Sequence, residues 1–367
     1  MSCTFSARAI SRQRCPGSIS RWAAAAVLAV LSAVLSTAGV SQTATPTAPK
    51  HGSVVRLKVH GPSLEGNLEG DSADREVSIY LPPGYEAQKS RRYPVVYLLH
   101  GFTDDDLRWF GSEHLFDGTA AADRAFSNNV PEMIVVMPNA KTRYFGSMYG
   151  SSATTGDWET FVAHDLVSYI DTHYRTIADR KSRGLAGHSM GGYGTIRLGM
   201  KHPEVFSSIY ALSACCLSPN FPDSVAAKVQ AIQTDEQLAQ AEFLTKAMFA
   251  SAGAWSPNPR NPPWFVDFPW KGAEFQPTVA AKWAANAPLI MLDQYIANLK
   301  RLQAIAFDVG THDTLLAGSQ ALDEALTSYN ITHTYETYEG DHLNRIETRF
   351  EKNVLPFFAR NLSFKSR

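Results

Sequence analysis

Between residues 184 and 201 the sequence passes from a strand into a helix with almost nothing in between. Residues 184–188 read as a short buried strand, and 190–201 as a helix stopped at His202-Pro203. The junction is Gly187-His188-Ser189-Met190-Gly191, so the chain must reverse at Ser189 itself. A turn that tight strains the serine backbone and lifts its hydroxyl above the end of the strand. Glycines at 187 and 191 fit this geometry, because side chains there would meet neighbouring backbone. A strand that feeds a helix this directly belongs in an α/β sheet.

The rest of the chain fits that frame. Residues 54–59 and 76–81 alternate apolar and polar, as antiparallel edge strands do, while 94–99 and 133–137 are continuous apolar runs suited to strands buried on both faces. Residues 157–174 have helical spacing. Further strands are expected at 207–214, 304–308 and 333–338, with a closing helix at 343–358. Counted with 184–188, this predicts a mostly parallel sheet of about eight strands with helices on both faces. The stretch 219–303, between the sixth and seventh strands, is too long for a plain crossover. It is helical over 225–248 and rich in Pro, Trp and Phe over 255–277. We expect it to be an insertion covering the active-site edge of the sheet within a single domain, 53–367.

The N-terminus is of another kind. Arg8, Arg12, Arg14 and Arg21 precede an apolar run over 22–40, and no acidic residue occurs before Glu65. A basic head, an apolar middle and small residues near 38–41 read as an export signal over 1–41, followed by a Thr-, Ala- and Pro-rich linker over 42–52. The run is long enough to be an uncleaved anchor, but its alanine and serine content favours cleavage. That places the mature protein in the secreted or periplasmic space, with no stable membrane association. Loss of the four arginines would take the formal charge from −1 to −5, which does not suit a nucleic-acid partner. Beyond Cys3 and Cys15, the chain has only the adjacent pair Cys215 and Cys216. A disulfide between neighbours is strained, so two buried thiols are expected.

A serine hydroxyl becomes a nucleophile only when a base takes its proton. His342, just past the last strand, is in position for that work. Among its rivals, His202 sits at a helix end, His333 lies in a strand, and His312 lies where the acid is expected. The acid belongs on the loop after the strand 304–308, where Asp308 and Asp313 compete and spacing does not separate them. Asp341 reads as a turn residue. A developing oxyanion needs N–H donors, for which Met190 and Phe102, the latter in His100-Gly101-Phe102, are the candidates. His100 reads as a brace for that loop. No clustered ligands suggest a metal or an organic cofactor.

Five motifs in this order resemble one known family. They are Tyr80-Leu-Pro-Pro-Gly-Tyr85, the run from Tyr93 to Gly101, Gly187-His-Ser-Met-Gly-Gly-Tyr-Gly194, Asp308-Val-Gly-Thr-His-Asp313 and Tyr338-Glu-Gly-Asp-His342. The chain from about 54 to 360 is similar to the esterase branch of the α/β-hydrolases. This branch includes S-formylglutathione hydrolases, feruloyl and acetylxylan esterases, siderophore esterases and mycolyltransferases. The resemblance implies the α/β-hydrolase fold and Asp313 as the acid partner of Ser189 and His342. It also implies an oxyanion hole at Phe102 and Met190 and no cofactor. It leaves the substrate open. Tyr144, in the loop 144–149, and Trp264, with Trp255, Phe265, Phe268 and Trp270, are candidates to flank a pocket for an aryl or carbohydrate ester. Hydrolysis of a small-molecule or carbohydrate ester is the first expectation. Acyl transfer on the same acyl-enzyme comes next, and a non-catalytic binding protein is the reading from another class.

Overall fold

Eight strands make the main sheet: β1 (Ser53–His60), β2 (Asp74–Leu81), β3 (Val95–Leu99), β4 (Ile134–Pro138), β5 (Arg183–His188), β6 (Ser208–Leu212), β7 (Ala304–Gly310) and β8 (Thr334–Tyr338). The computed structural model describes residues 51–111 and 115–365, all within the unit Ala48–Arg367. The export signal expected over 1–41 and most of the linker expected over 42–52 lie outside the described residues. Spatial order is β1-β2-β4-β3-β5-β6-β7-β8. β2 pairs antiparallel with β1 and β4, and every other neighbour is parallel. This is the α/β-hydrolase fold.

The apolar runs explain the layering. Every residue of β3 and β4 is buried, as a strand covered on both faces requires. Side chains alternate across the sheet: Val95, Tyr97 and Leu99 enter one core cluster, while Val96 and Leu98 enter the other. The first core holds buried residues of α3 (Met190–Lys201), including Tyr193 and Leu198. The second is closed by α1 (Gly118–Ser127) and α8 (Leu355–Asn361). The helical run expected at 157–174 forms as Trp158–Thr160, a π turn at Phe161–Asp165, and α2 (Leu166–His173). Asp157 caps it by accepting from Thr160 N–H at 3.0 Å.

Two boundaries differ from expectation for local reasons. β6 stops at Leu212, not 214, because Ser213 has φ +43° and leaves the strand conformation. The closing helix begins at Ile346, not 343, because the Asp341 carboxylate accepts Leu343 and Asn344 N–H, each at 2.8 Å, in a turn of its own.

The stretch 219–303 contains α4 (Phe243–Trp255), α5 (Pro277–Ala284), α6 (Pro288–Leu299) and a short ribbon pairing Trp270–Lys271 with Glu274–Phe275. α6 lies along α3, held by Asn298 Nδ2 donating to Met200 O at 2.8 Å. It serves as the ordinary crossover helix into β7. The part of the stretch that stands over the sheet edge is α4 and its neighbours. α7 (Leu316–Ser328) then connects β7 to β8.

In register, Leu99 lies beside Gly187, Gly187 beside Ala211, Leu212 beside Asp308, and Gly310 beside Tyr338. The C-terminal ends of five parallel strands therefore open on one edge. Loops leaving that edge are where an open α/β sheet collects ligand-binding groups.

Candidate active site

Ser189 follows the last residue of β5 with φ +57° and ψ −112°, a conformation that costs a non-glycine residue energy. The surroundings hold it there. Ser189 N–H donates to Leu212 O at 2.9 Å, and Cys215 N–H donates to Ser189 O at 3.1 Å. A Cβ on Gly191 would stand 2.0 Å from Leu99 O, and one on Gly187 would stand 2.3 Å from Gly191 O. Both glycines are thus demanded by backbone packing, and the strained turn is the only way through.

Two loops bring the partners. Thr311 N–H donates to Tyr338 O at 2.8 Å and His312 N–H to Gly340 O at 2.9 Å, which ties the loop after β7 to the loop after β8. His342 Nδ1–H donates to Asp313 Oδ2 at 2.8 Å, and Ser189 Oγ–H donates to His342 Nε2 at 3.0 Å. The Asp313 side chain is fully buried, and its other oxygen accepts Leu315 N–H at 2.9 Å. Burial alone would raise the Asp313 pKa. The bonds from His342 and the Leu315 backbone outweigh it and hold the carboxyl below its usual range. An ionised Asp313 fixes the tautomer of His342 that leaves Nε2 free to accept. Beneath it, His188 donates from Nε2 to His342 O at 3.0 Å. Burial pushes the His188 pKa down to about 3, so this brace is neutral at ordinary pH.

Asp308, the other acidic candidate, is on a different errand. It shares a sheet face with Ala306, away from Phe307, and accepts from Tyr210 Oη–H and Arg349 Nε–H, each at 2.7 Å. Burial raises its pKa to about 6 against the pull of Arg349. The rival histidines are also occupied elsewhere: His333 with Asp323, His202 with Glu159 and Glu204, and His312 with Glu339.

The loop after β3 approaches from the opposite side. His100 Nδ1–H donates to Gly101 O and its Nε2 accepts Ala140 N–H, both at 2.8 Å. With both nitrogens used, and burial pushing its pKa down to about 4, His100 is a neutral brace. A Cβ on Gly101 would lie 3.6 Å from Ser189 Cβ, which shows how closely this loop passes the serine. A Cβ on Gly146 would stand 2.6 Å from the Met190 sulfur and 2.8 Å from the Phe102 ring. Phe102 and Met190 therefore flank Ser189 in one cleft.

That cleft has a volume of about 660 Å³ and is walled on one side by α4. The structure does not bring Tyr144 and Trp264 into it. Tyr144 is buried, and its hydroxyl donates to Trp264 O at 2.6 Å. Its ring packs on Trp264 and Phe249, so the pair joins the insertion to the body instead of lining the cleft. Phe243, Leu244, Met248 and Trp255 of α4 line the cleft instead, with Trp283 of α5 packed edge-on against Trp255 at 5.5 Å. Their signal was helical phase: Leu244, Met248, Ser251 and Trp255 recur every three or four residues. Of the aromatics over 255–277 expected to flank the pocket, only Trp255 is among the described residues that line the cleft. Cys215 and Cys216 also line it, both free, with their sulfurs 2.8 Å apart. They are half-buried where buried thiols were expected.

Among the described residues, His164, His202 and Glu204 could together offer three ligand atoms to a metal. Both nitrogens of His202 already have carboxylate partners, and its ring stands edge-on to that of His164 at 5.5 Å.

Fold and site together define an α/β-hydrolase. Residues 72–346 match the Esterase family, described as "Putative esterase", and the chain belongs to that family. It is 34% identical over 134 residues to Esterase Rv1288 of Mycobacterium tuberculosis, covering 36% of this chain and 27% of that protein. It is 33% identical over 134 residues to an endo-1,4-beta-xylanase/feruloyl esterase of Xylanibacter ruminicola, covering 35% of this chain and 18% of that one. The chain thus spans about a quarter or less of the length of these relatives. A solved ferulic acid esterase shares the fold with a TM-score of 0.61 at 22% identity, covering 86% of this chain and all of that one.

Proposed function

We propose that this protein is an exported serine esterase that hydrolyses a carboxylic ester through an acyl-enzyme on Ser189. The observation that carries this reading is the continuous chain from Ser189 Oγ through His342 to Asp313, at 3.0 and 2.8 Å. In this mechanism His342 takes the serine proton as Oγ attacks the ester carbonyl, and Asp313 stabilises the imidazolium that forms. The N–H groups of Phe102 and Met190 receive the oxyanion. His342 then gives its proton to the leaving alcohol, and a water activated by the same histidine releases the acid.

The substrate class is an aryl or carbohydrate ester. Membership of the Esterase family and similarity to a feruloyl esterase support it. Export rests on the basic and apolar N-terminal pattern, and no described helix is long and apolar enough to cross a membrane.

The test is labelling with a fluorophosphonate and peptide mass spectrometry, alongside turnover of a p-nitrophenyl ester. Label should fall on Ser189 alone, and Ser189→Ala should lower kcat by about 10⁴-fold or more. Turnover that survives this substitution removes the assignment. With a sugar acceptor present, transfer product in excess of free acid would replace hydrolysis by acyl transfer.

A further inference from the structure

We infer that the acyl half of the substrate is an extended, uncharged alkyl chain that lies along α4. This rests on the esterase reading above but puts the aryl or carbohydrate part of the substrate on the alcohol side, in place of a feruloyl-type acyl group.

Two clefts meet at His342. The larger one contains Ser189, Phe102 and Met190, whereas the second, of about 520 Å³, is lined by His312, Asp341, Asn344 and Glu347 and does not reach the serine. The leaving oxygen takes its proton from His342 Nε2, so the alcohol departs past His342. The acyl substituent is accordingly placed in the larger cleft, the one that reaches Ser189.

The wall of that cleft selects against charge. No Lys, Arg, Asp or Glu is among the described residues that line it. A charged acyl group would lose its hydration there with nothing to pair it. The wall also has length. Leu244, Met248, Ser251 and Trp255 face the cleft from successive turns of α4, a track roughly 16 Å long at the helical rise per residue. An acetyl group would use only its inner end. Met148, Met190 and Met248 are unbranched and mobile in their torsions, which suits a chain more than a rigid ring.

The mouth carries the same signature. Phe243 is 65% exposed and Leu244 38% exposed, side by side at the start of α4, and the Phe243 ring stands edge-on to Phe102 at 5.4 Å. Two large apolar side chains held in water at the entrance of an apolar cleft gain from a substrate that covers them.

The experiment compares methyl acetate, methyl octanoate and methyl ferulate by acid release at constant pH, all below their solubility limits. These share an alcohol, so kcat/KM reports the acyl group alone. The octanoate should exceed the acetate at least tenfold and should exceed the ferulate. In the double variant Phe243→Ala/Leu244→Ala the octanoate-to-acetate ratio should fall at least threefold. Acetate or ferulate as the best substrate overturns the inference while leaving the esterase reading intact. An unchanged ratio in the double variant overturns the role of α4. If none of the three esters is hydrolysed, the esterase reading falls with it.

Discussion

The strand edge and the insertion meet over Ser189, and they are built on different physics. At the edge, position is set by hard contacts and directional bonds. Gly191 has no room for a methyl group against Leu99 O, and Asp313, His342 and Ser189 stand in one hydrogen-bonded line. In the insertion, position is set by apolar packing of Phe249, Trp264 and Phe268, in which many side chains share the work. A small error at the edge should therefore abolish chemistry, whereas a change in the insertion should alter stability or choice of substrate.

The largest test of that contrast lies within the edge itself. Asp313→Asn should lower kcat by about 10³- to 10⁴-fold, because the amide favours the wrong tautomer of His342. Asp308→Asn should leave kcat within about tenfold but cost about 3 kcal/mol of stability, since it weakens the pairing of the half-buried Arg349 and the buried Tyr210. Steady-state rates and urea denaturation of the two variants separate the roles. Equal losses of activity would break the distinction between the two aspartates.

A smaller effect should appear at His188. Burial holds it neutral, so the folded protein refuses a proton that the unfolded chain accepts. Its contribution to stability is complete above the unfolded pKa of about 6.5 and is lost progressively as pH falls towards about 3. The stability gap between wild type and His188→Gln should thus be widest near neutral pH and narrower by about 2 kcal/mol at about pH 5. A gap that grows on acidification would contradict the buried, neutral state.

The smallest effect belongs to the insertion. Tyr144→Phe leaves Trp264 O without its donor and should cost about 1 kcal/mol in urea denaturation, with kcat/KM for a p-nitrophenyl ester unchanged. A tenfold rise in KM would return Tyr144 to the substrate pocket.

Much of the frame was legible in the sequence. All eight main strands fall where alternation and apolar runs suggested, since strands buried on both faces leave an unbroken apolar record, although β2, read as an edge strand, lies between β1 and β4. Ser189 was legible for a similar reason, since glycines at 187 and 191 betray a turn that tolerates no Cβ. The end of β6 at Leu212 was not, because the positive φ at Ser213 answers to bonds made across the sheet, such as Ser213 N–H to Asp308 O. The choice of aspartate lay on the boundary. Spacing left Asp308 and Asp313 level and family resemblance preferred Asp313, which in the folded chain holds His342 Nδ1 while Arg349, 41 positions further on, takes Asp308.

Sequence by itself therefore determined the strand series, the sharp turn at Ser189 and the short set of residues able to serve it, since these depend on local backbone sterics and periodic burial. Only the tertiary structure decided which aspartate faces His342 and which helix face walls the cleft. It also decided that Tyr144 and Trp264 pack the insertion instead of lining the pocket. Those outcomes depend on where segments 29 to 120 residues apart come to rest against one another, and no local pattern encodes that.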